Sequence, residues 1–126
     1  MQILKTKWFR KWSQKQKILD RKLKETIENL QQGLGSSHLG NGLYKVRVSV
    51  DGRGKSAGYR TIIVYKESER AVFVYGFAKN VQENLNTQEL KAFKTLAKDI
   101  LSLSEDEIAS AIEKGVFMSV GEEDER

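Results

Sequence analysis

The stretch LYKVRVSVDGRGKSAGYRTIIVYKESERAVFVYGFA, residues 43–78, holds three strand patterns joined by two turns. In residues 43–50, Tyr44, Val46, Val48 and Val50 alternate with Lys45, Arg47 and Ser49, the period of two that places one set on each face of a strand. Tyr59–Lys66 is rich in β-branched and aromatic residues, and residues 71–78 are almost continuously apolar, as expected of a central strand buried on both faces. Between the first two patterns, residues 51–58 carry Gly52, Gly54 and Gly58 and exceed a minimal hairpin turn; residues 67–70 make a tighter one. Consecutive strands with short links predict an antiparallel meander.

Helical periodicity lies on either side. Upstream, residues 3–7 read as a short strand, and Trp8, Phe9 and Trp12 then fall at near-helical spacing, with both tryptophans expected as core anchors. Leu19, Leu23, Ile27 and Leu30 recur at three- and four-residue steps, with Asp20 placed to cap that helix and Gly33 to end it. Residues 33–42 hold four glycines, two serines and an asparagine, and are expected to be a loop. Downstream, Thr87 is placed to cap a helix with a stripe of Leu90, Phe93, Ala97, Ile100 and Leu101. Ser104 and Glu107 have capping-box spacing before Ile108, Ala111 and Ile112, and Gly115 closes that helix. Residues 116–120 offer a last strand or packed tail, and residues 121–126 an acidic tail. The order predicts one α+β domain over residues 3–120, with a mainly antiparallel sheet.

Composition narrows the chemistry. The chain has 126 residues, 39% of them hydrophobic, and no cysteine, so disulfides and thiolate metal sites are excluded. Charges interrupt the opening MQILKTKWFRKW, and no run approaches the ~18–20 apolar residues of a membrane span; neither a signal peptide nor a membrane segment is expected. The net charge of +5 is unevenly spread: residues 1–31 carry +6, residues 32–80 carry +5 and residues 81–126 carry −6. Such a field draws polyanions to one side of a molecule. His38 is the only histidine, which argues against a histidine triad or relay. No HxH, HExxH or acidic cluster suggests a metal, and no cofactor is expected.

The candidate site follows from the central stretch. Lys45 and Arg47 share a strand face, and Arg60 begins the next strand, where it can meet them across the ladder. Like charges side by side are unfavourable unless an anion sits among them, and a phosphate suits the set because arginine grips it bidentately while lysine acts as a point charge. Arg53 and Lys55 border the patch on a glycine-rich loop. Lys55-Ser56 leads into a strand rather than a helix, which rejects a P-loop. Lys79 and the amides of Asn80, Gln82, Asn84 and Asn86 follow the third strand and are placed to line the same patch, while Tyr59 and Tyr65 are candidate base-stacking or phosphate-bonding rings.

Together, Leu43-Tyr44-Lys45-Val46-Arg47, Gly54-Lys55-Ser56-Ala57-Gly58-Tyr59-Arg60-Thr61-Ile62 and Phe73-Val74-Tyr75-Gly76-Phe77-Ala78-Lys79-Asn80, with the opening Lys5-Thr6-Lys7-Trp8-Phe9, resemble the RelE/HigB-like toxins of type II toxin–antitoxin modules, within the RelE/ParE superfamily. The resemblance implies a microbial RNase-like fold, a curved antiparallel sheet packed with helices. It implies a cytoplasmic, metal-independent mRNA interferase (an endoribonuclease) that cleaves mRNA in the ribosomal A site and inhibits translation. It also implies a cognate antitoxin, often of helix-turn-helix type, as partner beside ribosome and mRNA. Carried over by motif, Lys45 and Arg47 match the first basic pair, Arg60 the GYR arginine and Lys79 the basic position after the last long strand, and these four make the expected catalytic set. Lys45, close to Arg47 and Arg60, is expected to act as general base, and from the reading of the residues themselves Arg53, Lys55, Tyr59, Tyr65, Asn80 and Asn84 are expected to bind RNA. The chain departs from the pattern at Gln82, where many relatives carry an arginine, and at Asn84 and Asn86, where RelE proper has a late tyrosine. Two other readings fit the same residues: a ParE-like toxin that inhibits DNA gyrase, and a non-catalytic RNA- or ribosome-binding module.

Overall fold

A computed structural model of the chain describes residues 1–48 and 58–121. The elements run β1 Gln2–Thr6, α1 Lys7–Lys15, α2 Asp20–Gln31, β2 Ser36–Gly40, β3 Leu43–Val48, β4 Tyr59–Lys66, β5 Arg70–Ala78, α3 Thr87–Leu101, α4 Glu105–Glu113 and β6 Phe117–Ser119. Six strands form one open sheet in the order β2-β3-β4-β5-β1-β6. The meander β3-β4-β5 is antiparallel as the alternation predicts. β1 instead joins β5 in parallel, with Lys5 beside Phe73, and is covered on its outer edge by antiparallel β6.

Each strand face has its own helices. Val46, Val48, Ile63 and Phe73 pack with Phe9 of α1 and with Leu23, Ile27 and Leu30 of α2. Leu43, Ile62, Val64, Val72, Val74 and Phe77 pack with Ala97 and Ile100 of α3 and Ile108 of α4. β5 lies between β4 and β1 and supplies residues to both cores, so its continuous apolar reading holds. A register shift between Ile62 and Ile63 pairs them with Tyr75 and Phe73, leaving Val74 as the extra residue of a bulge. The bulge lets the adjacent Val74 and Tyr75 both pack against the α3–α4 core.

Three expectations are corrected. Residues 33–42 contain β2, an edge strand paired with β3 from Ser36↔Val46 to Gly40↔Leu43; backbone pairing holds it, so no hydrophobic alternation marks it. The N-cap of α3 is Asn86, not Thr87: its side chain accepts from the Glu89 amide in a capping box. Asp20 does not cap α2, where Leu19 holds that position without a side-chain bond. The Asp20 carboxylate instead accepts from the Lys5 ammonium at 2.8 Å, both side chains buried, and from the Gly121 amide at 2.7 Å. The capping box at Ser104 and Glu107 forms as read.

A second interior cation joins α3 to α4. Arg70 is 2% exposed and its Nη1 donates to the carbonyls of Ile100 at 3.1 Å and Leu103 at 2.8 Å. It thus satisfies acceptors that a helix C-terminus leaves without intrahelical partners, while Nη2 lies 3.5 Å from Glu105.

Trp12 explains one glycine. A Cβ on Gly76 would lie 2.3–2.7 Å from carbons of the Trp12 ring, closer than any side chain tolerates. Gly76→Ala is therefore expected to lower stability by about 1–3 kcal/mol through overpacking, with a reduced denaturant midpoint at unchanged slope. An unchanged midpoint would mean that the indole has room to retreat.

Candidate nucleic-acid interface

β3 and β4 set the cations by register. Arg47 stands directly opposite Arg60, and Lys45 is one pair-step along the same face, opposite Ile62. Ile62 belongs to the α3–α4 core, so this is the α3 side of the sheet. The next strand continues both rows, with Phe77 beside Arg60 and Tyr75 beside Ile62. Burial pushes the Arg60 guanidinium below its ordinary pKa, and the facing charge of Arg47 adds to the effect. The two arginines thus repel across the ladder, with no carboxylate ion-paired to either among the described residues. An anion bound between them would relieve that repulsion.

Lys79 follows directly on the end of β5, in the turn. Its amide donates to the Gly58 carbonyl at 3.3 Å, which carries the β4–β5 ladder one step beyond Ala78.

The connection from β5 to α3 folds back over the patch, and Glu89 organises it. One carboxylate oxygen accepts from the Asn86 amide at 2.9 Å and from Gln82 Nε2 at 2.9 Å; the other accepts from the Tyr75 hydroxyl at 3.3 Å. Burial and the adjacent Glu89 charge hold the Tyr75 hydroxyl above its ordinary pKa, in its donating form. Gln82 also donates to the Asn84 carbonyl at 2.8 Å. Asn84, so fixed, accepts a hydrogen bond from the Lys45 ammonium through its side-chain oxygen. A continuous polar chain therefore runs from Tyr75 through Glu89, Gln82 and Asn84 to Lys45.

The model of the RelE toxin of the RelE/RelB toxin–antitoxin system matches residues 1–120. This chain belongs to the RelE toxin family. Its α+β architecture with a curved, open sheet agrees with that membership, and the family places it as the toxin of a toxin–antitoxin pair. No curated protein gives a significant match. Among the described residues, no helix is long and apolar enough to cross a membrane.

Within this RelE toxin, Lys45, Arg47, Arg60 and Asn84 come together on one face, and Lys79 stands in the turn just past the end of β5. Asn80 is exposed in the turn after β5. Arg53 and Lys55 lie outside the described residues. Tyr59 and Tyr65 are not brought to the cations. Tyr59 precedes Arg60 in an extended strand and so faces the other way, donating to Gln16 at 3.2 Å and meeting the Trp12 ring edge-on at 5.5 Å. Tyr65 packs edge-to-face with Tyr44 at 5.7 Å on that same side, where burial raises its pKa.

Two aromatics stand differently in the structure than the sequence suggests. Tyr75 reads as one more residue of an apolar strand; only its bulge turns it toward Glu89. Trp8 is not the buried anchor expected of it, being 47% exposed. Gln82, noted as a departure from the family pattern, is a brace of the connection.

Proposed function

We propose that this RelE toxin is a metal-independent endoribonuclease that cleaves mRNA in the ribosomal A site and so stops translation. The observation that carries the reading is the opposition of Arg47 and Arg60 across β3 and β4, with Lys45 on the same face held by Asn84. Three cations converging on one patch suit a phosphodiester whose charge rises in the transition state. In the proposed step, the ribose O2′ gives its proton to Lys45, which acts from its neutral amine form as general base and becomes the ammonium, and O2′ attacks the adjacent phosphorus. The O2′–P bond forms, Arg60 and Arg47 hold the equatorial oxygens, and the P–O5′ bond breaks. Lys79 delivers a proton to the departing O5′, leaving a 2′,3′-cyclic phosphate and a 5′-hydroxyl. Asn84 and Asn80 bind flanking RNA. Tyr59 and Tyr65 have no part in this step because they occupy the other face. The partner is a cognate antitoxin of helix-turn-helix type, and the site of action is the cytoplasm, where translating ribosomes are.

Induced expression of the chain in bacterial cells, without an antitoxin, tests the reading. The expected result is rapid loss of protein synthesis with mRNA cleaved within codons. DNA damage in place of mRNA cleavage would overturn it in favour of gyrase inhibition, and growth without toxicity would leave only a binding module.

A further inference from the structure

Trp8 and Trp12 are one turn apart in α1 and have different fates. Trp12 lies over Gly76, whereas Trp8 is about half exposed. The Trp8 ring is nonetheless held in place. Tyr75 stacks on it with centroids 4.7 Å apart and planes inclined by 28°, and Trp12 lies nearly parallel at 6.3 Å. A lone exposed apolar residue is ordinary; an indole ordered by two ring neighbours, half exposed and bordering a cavity with Lys7, Leu96, Leu103 and Phe117, has what a stacking platform needs.

The surroundings indicate what it stacks. Lys7, Lys11 and Lys15 recur at four-residue intervals on α1 and are all exposed. The first turn carries no acidic residue, and none of the three lysines makes an ion pair among the described residues. Cations spaced along one line beside an open aromatic ring are the equipment for tracking a single-stranded nucleic acid. The platform also adjoins the cationic face. Tyr75, which backs Trp8, is in one cross-strand row with Ile62 and Lys45, two strand spacings or about 10 Å away. Tyr75 and Lys45 are the two ends of the hydrogen-bonded chain through Glu89, Gln82 and Asn84.

We propose that Trp8, backed by Tyr75, stacks a base of the RNA strand beside the cleavage site, and that Lys7, Lys11 and Lys15 carry the phosphates of that strand along α1. The proposal rests on the reading of the cationic face as an RNA site and extends it to a second surface.

The test uses the purified full chain and a short single-stranded oligoribonucleotide, 2′-O-methylated to block cleavage and end-labelled. Binding is read from anisotropy of the label and stacking from tryptophan fluorescence. Quenching is expected to titrate with the anisotropy change and to vanish in Trp8→Phe, where only the Trp12 signal remains. Trp8→Ala is expected to weaken binding about 5–150-fold, the worth of one stacked base. Each Lys→Gln change on α1 is expected to reduce the slope of log affinity against log salt by about 0.7. Binding with no quenching and no loss in Trp8→Ala would overturn this proposal alone and assign the indole to a protein-docking surface. Absence of binding by anisotropy would overturn the RNA reading and this proposal together.

Discussion

Replacing Asp20 with alanine is expected to destabilise the fold by about 3–5 kcal/mol, the usual cost of removing one partner from a buried ion pair. Lys5 is fully buried and Asp20 nearly so, and their contact is 2.8 Å. The alanine variant would take the carboxylate away from the buried Lys5 ammonium, and would release the Gly121 amide as well. Against a total stability of ~5–15 kcal/mol for an ordinary domain, the loss is large, and Tm should fall by roughly 10–20 °C. The double change Lys5→Met with Asp20→Leu should recover most of it, because it removes both charges instead of stranding one. A single variant that melts with the wild type would show that other groups carry the ammonium.

Arg60→Ala is expected to lower mRNA cleavage on translating ribosomes by about 10²–10³-fold, the effect of deleting one donor aimed at developing charge. The loss should appear in kcat more than in KM, since the interaction strengthens as charge builds on the phosphate. Arg60→Lys should restore only part, because an ammonium replaces a bidentate grip with a point charge. Stability is expected to move the other way. The Arg60 pKa is held down by burial and then by Arg47, so the folded state disfavours this charge, and removing it should leave Tm equal to or above that of the wild type. Lower activity with undiminished stability separates a functional arginine from a structural one. Full activity in both Arg60→Ala and Lys45→Ala would sink the assignment of this face.

The part of the fold that the sequence displays is the part built from neighbours. Tyr44, Val46 and Val48 announce their face by alternation, and β4 has the predicted ends because β-branched residues fill it between glycine and a turn. Ser104 and Glu107 announce a helix start by spacing alone. Legibility fails where a residue answers to something distant. Lys5, Arg70 and Asp20 count as charges in any tally, yet each is buried beside a partner many residues away. Nothing local shows that β1 runs parallel to β5, or that Ser36–Gly40 pairs as a strand. At the site, Lys45, Arg47 and Arg60 were readable because two adjacent strands fix their register. Tyr59 and Tyr65 qualify as candidate rings by residue type alone, whereas parity sets them apart from the cations: Tyr59 and Arg60 are consecutive, and consecutive residues of a strand face opposite ways. The role of Glu89 had no signal apart from its capping position.

The seam between β1 and β6 also bears on the order in which the molecule comes into being. β3, β4 and β5 are consecutive in sequence, so the cationic meander draws on contacts available early in synthesis. β1, made first, needs β6 to cover its outer edge, and Asp20 needs the amide of Gly121, 101 residues further on. Loop-closure entropy makes such pairings the slow ones. The cationic face of β3 and β4 is thus assembled from near neighbours, while the stability that keeps it assembled arrives only after the ribosome has passed residue 121.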